Sequence, residues 1–97
     1  MSKSTLHTLN KAPADTVLWS SCLAAIQPND TLLLIEDAVY AAVDTHIERT
    51  PTHPAFFYLK ADIEARGLLA HVNPDRLIDD DQFVTLSCAH SKVVSWF

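Results

Sequence analysis

The chain has 97 residues, of which 48% are hydrophobic and 20% charged, enough for one domain (residues 1–97) with one core. The net charge is −5 with neutral histidines, which argues against direct binding of nucleic acid. The longest apolar run, Ala38 to Val43, is six residues against the roughly 18 of a membrane span, and the single glycine, Gly67, excludes the Gly-rich phosphate loops.

Met1-Ser2-Lys3-Ser4 leads into a strand-like segment with no signal-peptide core. The two cysteines, Cys22 and Cys88, have no CxxC or zinc-like spacing. Both observations predict a cytoplasmic protein.

In chain order, Leu6 to Leu9 alternates apolar and polar and predicts a first strand, broken at Lys11-Ala12-Pro13. Asp15 is placed to cap a helix over Thr16 to Ile26. On it Trp19, Cys22, Leu23 and Ile26 form one apolar stripe, and Pro28 stops it. The run Leu32-Leu33-Leu34-Ile35 follows the Asn29-Asp30 turn and has the unbroken apolarity of a strand covered on both faces. These first 35 residues have the length and order of a right-handed βαβ unit.

Glu36-Asp37 then forms an acidic turn. Val39, Ala42 and Val43 are spaced for a short helix. The turn occupies the position where an open parallel sheet binds ligands, but its carboxylates would repel a phosphate. Asp44 to Pro54 is loop-like. Ala55 to Leu59 predicts a third strand and Ala61 to Arg66 a short helix closed by Gly67. Leu68 to Val72 leads to a turn at Asn73-Pro74, and Leu77-Ile78 to a fourth strand. Asp79 and Gln82 have capping-box spacing ahead of a helix from Asp80 to about Ala89, with Phe83 and Leu86 inward and Val84 and Cys88 on an adjoining flank. Lys92 to Phe97 predicts a terminal strand.

Chemistry-bearing residues are few. Cys22 is a candidate thiolate or persulfide carrier, or else a small apolar core residue. Its place in the second half of a helix, with no cation nearby in sequence, favours the core. Cys88 also falls late in a helix. The five histidines, His7, His46, His53, His71 and His90, contain no HxxxH pair, so no metal site is expected. Asp79-Asp80-Asp81 reads as a helix-start charge cluster rather than a metal-binding turn.

Taken together, LHTLNKAP (6–13), LLLIEDAVYAAV (32–43), ADIEARGL (61–68), DQFVTL (81–86) and the late Trp96 resemble the TusB/DsrH family of sulfur-relay subunits, in order and over almost the whole chain. Two departures are Ala38, where the family often has Gly, and the loop 44–54. The resemblance implies an α/β fold: a small flavodoxin-like three-layer α/β/α domain with a mainly parallel sheet of about five strands. It also implies a heterohexamer with TusC-like and TusD-like paralogues and no cofactor. In that relay, persulfide sulfur passes through the TusD-type subunit and TusE to MnmA, which makes 2-thiouridine at the wobble base of transfer RNA.

The TusD-type cysteine lies just after the third strand at the start of a helix. The equivalent stretch here, Leu59-Lys60-Ala61-Asp62, has none. The resemblance therefore implies a non-catalytic structural subunit. Tyr40, Trp96 and Phe97 are the aromatic candidates for its partner interface. The alternatives are a sulfur carrier acting through Cys22, a DsrH-like subunit of a DsrEFH complex in sulfur oxidation, and a flavodoxin-like small-molecule module.

Overall fold

The computed structural model describes residues 3–43 and 55–97. The predicted loop 44–54, with His46 and His53, lies outside the described residues. The elements are β1 (Thr5–Leu9), α1 (Thr16–Ala25), β2 (Thr31–Leu34), a 3-10 helix (Glu36–Val43), β3 (Phe56–Leu59), α2 (Lys60–Ala65), short 3-10 turns at Leu69–His71 and Pro74–Arg76, β4 (Leu77–Ile78), α3 (Asp80–Ala89) and β5 (Lys92–Trp96).

The five strands form one all-parallel sheet in the order β4-β3-β2-β1-β5. The apolar run Leu32 to Leu34 is the central strand, and all three leucines have no exposed surface. Strand alternation sends Leu32 and Leu34 to one face and Leu33 to the other. The first face is closed by Trp19 and Cys22 of α1, Ala38, Val39 and Ala41 of the long 3-10 helix, and Ile63 of α2. Leu33 joins Leu6 and Ile78 on the second face, beneath Phe83 and Leu86 of α3. This is the expected α/β class, with the sheet wholly rather than mainly parallel.

Crossover handedness explains which helix lies on which face. The chain steps outward from β1 through β2 and β3 to β4, so right-handed crossovers keep α1 and α2 on one face. It then returns past β1 to place β5, and the reversed step puts α3 on the other face. The connections leaving β3 and β4 therefore diverge to opposite faces. Parallel sheets hold their sites at the carboxyl ends, and here the connections after β1, β2 and β3 draw together at that end around one polar cluster, the carboxyl-end crevice.

Local chemistry sets the helix limits. The Asp15 side chain accepts from the Leu18 amide at 3.2 Å, and the Trp19 indole donates to the Lys11 carbonyl at 2.7 Å. These bonds fix the entry of α1. Asp79 and Gln82 form the reciprocal capping box, at 2.8 Å in each direction. Gly67 has φ +67°, and the amides of Gly67 and Leu68 return to the carbonyls of Glu64 and Ile63. This is a Schellman closure of α2, with Leu68 and Ile63 sharing the core beneath it.

Two expectations are corrected. The stretch after β2 is a 3-10 helix, not a helix of 3.6 period starting at Ala38. Three residues per turn place Ala38 and Ala41 on one buried line, and Val43 is left 41% exposed. No residue of α3 is fully buried: Phe83 and Leu86 are half-buried, and Val84 and Cys88 are exposed. A lone helix over a five-strand sheet has no neighbour at its flanks to enclose it.

Candidate functional site: the carboxyl-end crevice

Three connections meet at the carboxyl end. Asn10 follows β1, Glu36 and Asp37 follow β2, and Lys60 to Asp62 open α2 after β3. The Asn10 side-chain amide donates to Glu36 Oε2 at 3.1 Å. The Glu36 backbone amide donates to Asp62 Oδ2 at 2.7 Å. Arg66, one turn along α2, lies 3.0 Å from Asp37 Oδ1 and 3.6 Å from Asp62 Oδ1, and its guanidinium sits 5.9 Å from the centre of the Tyr40 ring. Glu36 holds φ +49°, a left-handed conformation unusual for a residue with a Cβ. The hydrogen bonds on both its backbone and its side chain offset that cost.

The chemistry available here is that of three carboxylates and one guanidinium. Asp62 places negative charge in the first turn of α2, at the end of the helix where a thiolate or phosphate would otherwise gain most. Its carboxylate is turned to the Glu36 amide and to Arg66. Among the described residues the crevice carries no thiol and no imidazole, and its hydrogen bonds fix the backbone of two connections.

The sequence candidates lie elsewhere. Cys22 is fully buried under the sheet, and burial pushes its thiol up to about 12. Cys88 is exposed near the end of α3, on the opposite face. Tyr40 is 40% exposed beside Arg66, and Phe97 is 69% exposed beyond β5. Trp96 is half-buried and donates its indole N–H to His7 Nδ1 at 3.0 Å. The three aromatics are therefore not one cluster: Tyr40 belongs to the crevice, while Trp96 ends edge strand β5 and Phe97 follows it. Among the described residues no group of three or more His, Cys, Asp or Glu could hold a metal ion, and no helix is long and apolar enough to cross a membrane.

A second polar cluster, buried on the α1 face, runs from Asp30 at the amino end of β2 through His7 in mid-β1 to Trp96, the last residue of β5. Because the Trp96 indole can only donate, His7 Nδ1 is the acceptor, and Nε2 carries the proton that faces Asp30 Oδ2 at 2.9 Å. Asp30 also accepts from the amides of Thr5 at 2.9 Å and Gln27 at 3.0 Å. Burial acts to raise the Asp30 pKa, but the Gln27 amide, the His7 ring and the Thr5 amide outweigh it and hold the carboxyl below its ordinary value. Sequence reading gave these residues no joint role, because they lie 23 and 89 positions apart and come together only through strand pairing.

Comparison with known proteins gives the family. The DsrH-like protein family matches residues 11–93. The chain is 37% identical over 95 residues to the TusB protein of Shigella dysenteriae serotype 1 (strain Sd197), covering 94% of this chain and 99% of that one. It belongs to the TusB/DsrH family. The same identity and coverage hold for the TusB proteins of Escherichia coli O1:K1 / APEC and Shigella boydii serotype 18 (strain CDC 3083-94 / BS512). The match to the DsrH-like family runs from before α1 to the first two residues of β5 and includes the crevice residues Glu36, Asp37, Asp62 and Arg66. This is the sulfur-relay family that the sequence motifs resemble.

Proposed function

We propose that the chain is a non-catalytic structural subunit of a TusBCD-type sulfur-relay complex, which passes persulfide sulfur toward 2-thiouridine at the wobble position of transfer RNA. Its partners are TusC-like and TusD-like paralogues in a cytoplasmic heterohexamer, with TusE and MnmA downstream and no direct contact with nucleic acid. One observation carries the reading. Where the TusD-type subunit keeps its cysteine, after the third strand and at the start of a helix, this chain has Lys60-Ala61-Asp62, with Asp62 bound to the Glu36 amide.

A persulfide carrier needs a thiolate reachable by the donor. Burial and the raised pKa of Cys22 count against its serving as one. Crevice shaping and burial of surface against the paralogues remain as its work, with Tyr40, Trp96 and Phe97 as contact residues.

The test is coexpression with the paralogous genes that neighbour it, followed by native mass spectrometry and sulfur loading from a cysteine desulfurase. The expected result is an assembly of two copies each of three small subunits, with persulfide mass on a partner and undiminished loading in Cys22→Ser. A stable monomer that gains sulfur mass, and loses that ability in Cys22→Ser, would overturn it.

A further inference from the structure

The amino end of the sheet carries a surface that the crevice does not account for. A groove of about 410 Å³ runs between the carboxyl end of α1 and edge strand β5. Its apolar lining includes Ala25, Val94 and Trp96, with His7 at its base, and Lys3 and Lys92 stand on its rim. A second concavity of about 430 Å³ lies beside it and is lined by the same two lysines.

Neither lysine has an ion-pair partner among the described residues. The one acid of the groove is Asp30, whose oxygens are turned inward to Thr5, Gln27 and His7. With His7 neutral, the groove keeps one net positive charge in a chain of net charge −5. Asp75, at the same end of the sheet, precedes β4 on the far edge. Four strand spacings separate those edges, roughly 19 Å, which is beyond a Debye length at physiological salt.

Charge decides what can dock here. A chain of this sign repels an acidic partner over most of its surface, and attraction is confined to places where the local field reverses. This groove is such a place, and it adds an apolar floor and a strand edge unpaired on its outer side among the described residues. We infer that the groove between α1 and β5 docks a paralogous subunit of the proposed complex, through a segment bearing an apolar anchor flanked by carboxylates. The anchor lies against Val94 and Trp96, and the carboxylates meet Lys3 and Lys92. This assignment rests on the assembly reading above and adds the surface through which it is made.

The test is copurification of the coexpressed paralogues with Lys3→Glu and Lys92→Glu, singly and together, with Lys11→Glu at the other end of the sheet as the charge-matched control for each single variant. Circular dichroism melting establishes that each variant is folded. The expected result is a loss of retained partner of at least about tenfold in the double variant, none in the control, and weakening of the wild-type assembly by salt. In the wild type, amide hydrogen exchange of residues 93–97 should slow on assembly. If the wild type assembles but the double variant retains its partners equally, or if 93–97 exchange unchanged in the complex, the groove is not the docking surface and the assembly reading stands. If the wild type stays alone beside its paralogues, both readings fail. Assembly only with further copies of this chain would also overturn the choice of occupant.

Discussion

At the carboxyl ends of the strands, polar side chains meet near solvent. At the amino ends, a comparable set is sunk beneath the surface. The Arg66–Asp37 pair has an exposed acid partner, with 61% of the Asp37 side chain accessible. The His7–Asp30 pair is accessible to 5% and 6%. The distances are alike, 3.0 and 2.9 Å, so geometry alone does not rank them. Solvent does: water replaces what an exposed pair loses, whereas a buried donor left alone has no substitute. The carboxyl end can therefore vary in charge at little energetic cost. The amino end is fixed by its own hydrogen bonds, and Trp96 and the groove above it are fixed with it.

The comparison is broken most severely at Asp30. In Asp30→Ala two backbone amides and the His7 ring N–H lose their acceptor in the interior, and stability should fall by about 3 kcal/mol. Urea unfolding measures this, and a loss under 1 kcal/mol would put water in the cluster. The acid arm has a definite sign. The folded pKa of Asp30 is lowered, so its contribution is present above the ordinary carboxylate range and is lost as pH falls through the folded value. Asp30→Asn should flatten that arm of the stability profile.

At the other end Asp62→Ala removes one acceptor from the Glu36 amide, at a site water can reach, and should cost about 1 kcal/mol. If Asp62→Ala matched Asp30→Ala, the contrast between the ends would be wrong. Trp96→Phe keeps the ring on the groove floor but leaves His7 Nδ1 without its donor, and should also cost about 1 kcal/mol. The Asp30 carboxylate still holds the proton on Nε2, so the Nδ1 nitrogen shift of His7 should move while the tautomer stays.

The difference between the ends also governs what the sequence discloses. Signals within one turn were legible. Asp15 and the Asp79–Gln82 pair act on amides three residues away, Gly67 turns its own amide and that of Leu68 onto carbonyls three and five residues back, and the helix limits follow from them. The leucine run of β2 announced a strand buried on both faces because apolarity needs no partner identity to be read. The 3-10 form of Glu36–Val43 was missed because Val39, Ala42 and Val43 also satisfy a 3.6 period over so short a span. The crevice was half legible: Glu36 and Asp37 stand at a strand end by local pattern, but Arg66 reaches Asp37 across 29 positions. The amino-end cluster was not legible at all. It depends on β5 returning to the β1 edge, a choice of strand order that no local spacing encodes.

A last and smaller effect probes α1, which joins the two ends. Cys22 lies in the second half of that helix, and burial raises its thiol to about 12. The unfolded chain releases that proton in the ordinary thiol range near 9, while the folded chain holds it. Between those values the unfolded state binds fewer protons, so stability falls as pH rises. The contribution is whole below the unfolded value and gone once pH passes the folded one. Cys22→Ala should remove this limb at a packing cost of about 1 kcal/mol at neutral pH. A residual alkaline limb should remain from Tyr58, whose phenol burial also raises, against the opposing charge of Arg76. Melting scans from pH 7 to 11 on both proteins separate the two. If Cys22→Ala kept the full limb, the thiol would already ionise in the folded chain, and the core assignment of Cys22 would fail together with the separation of the two ends.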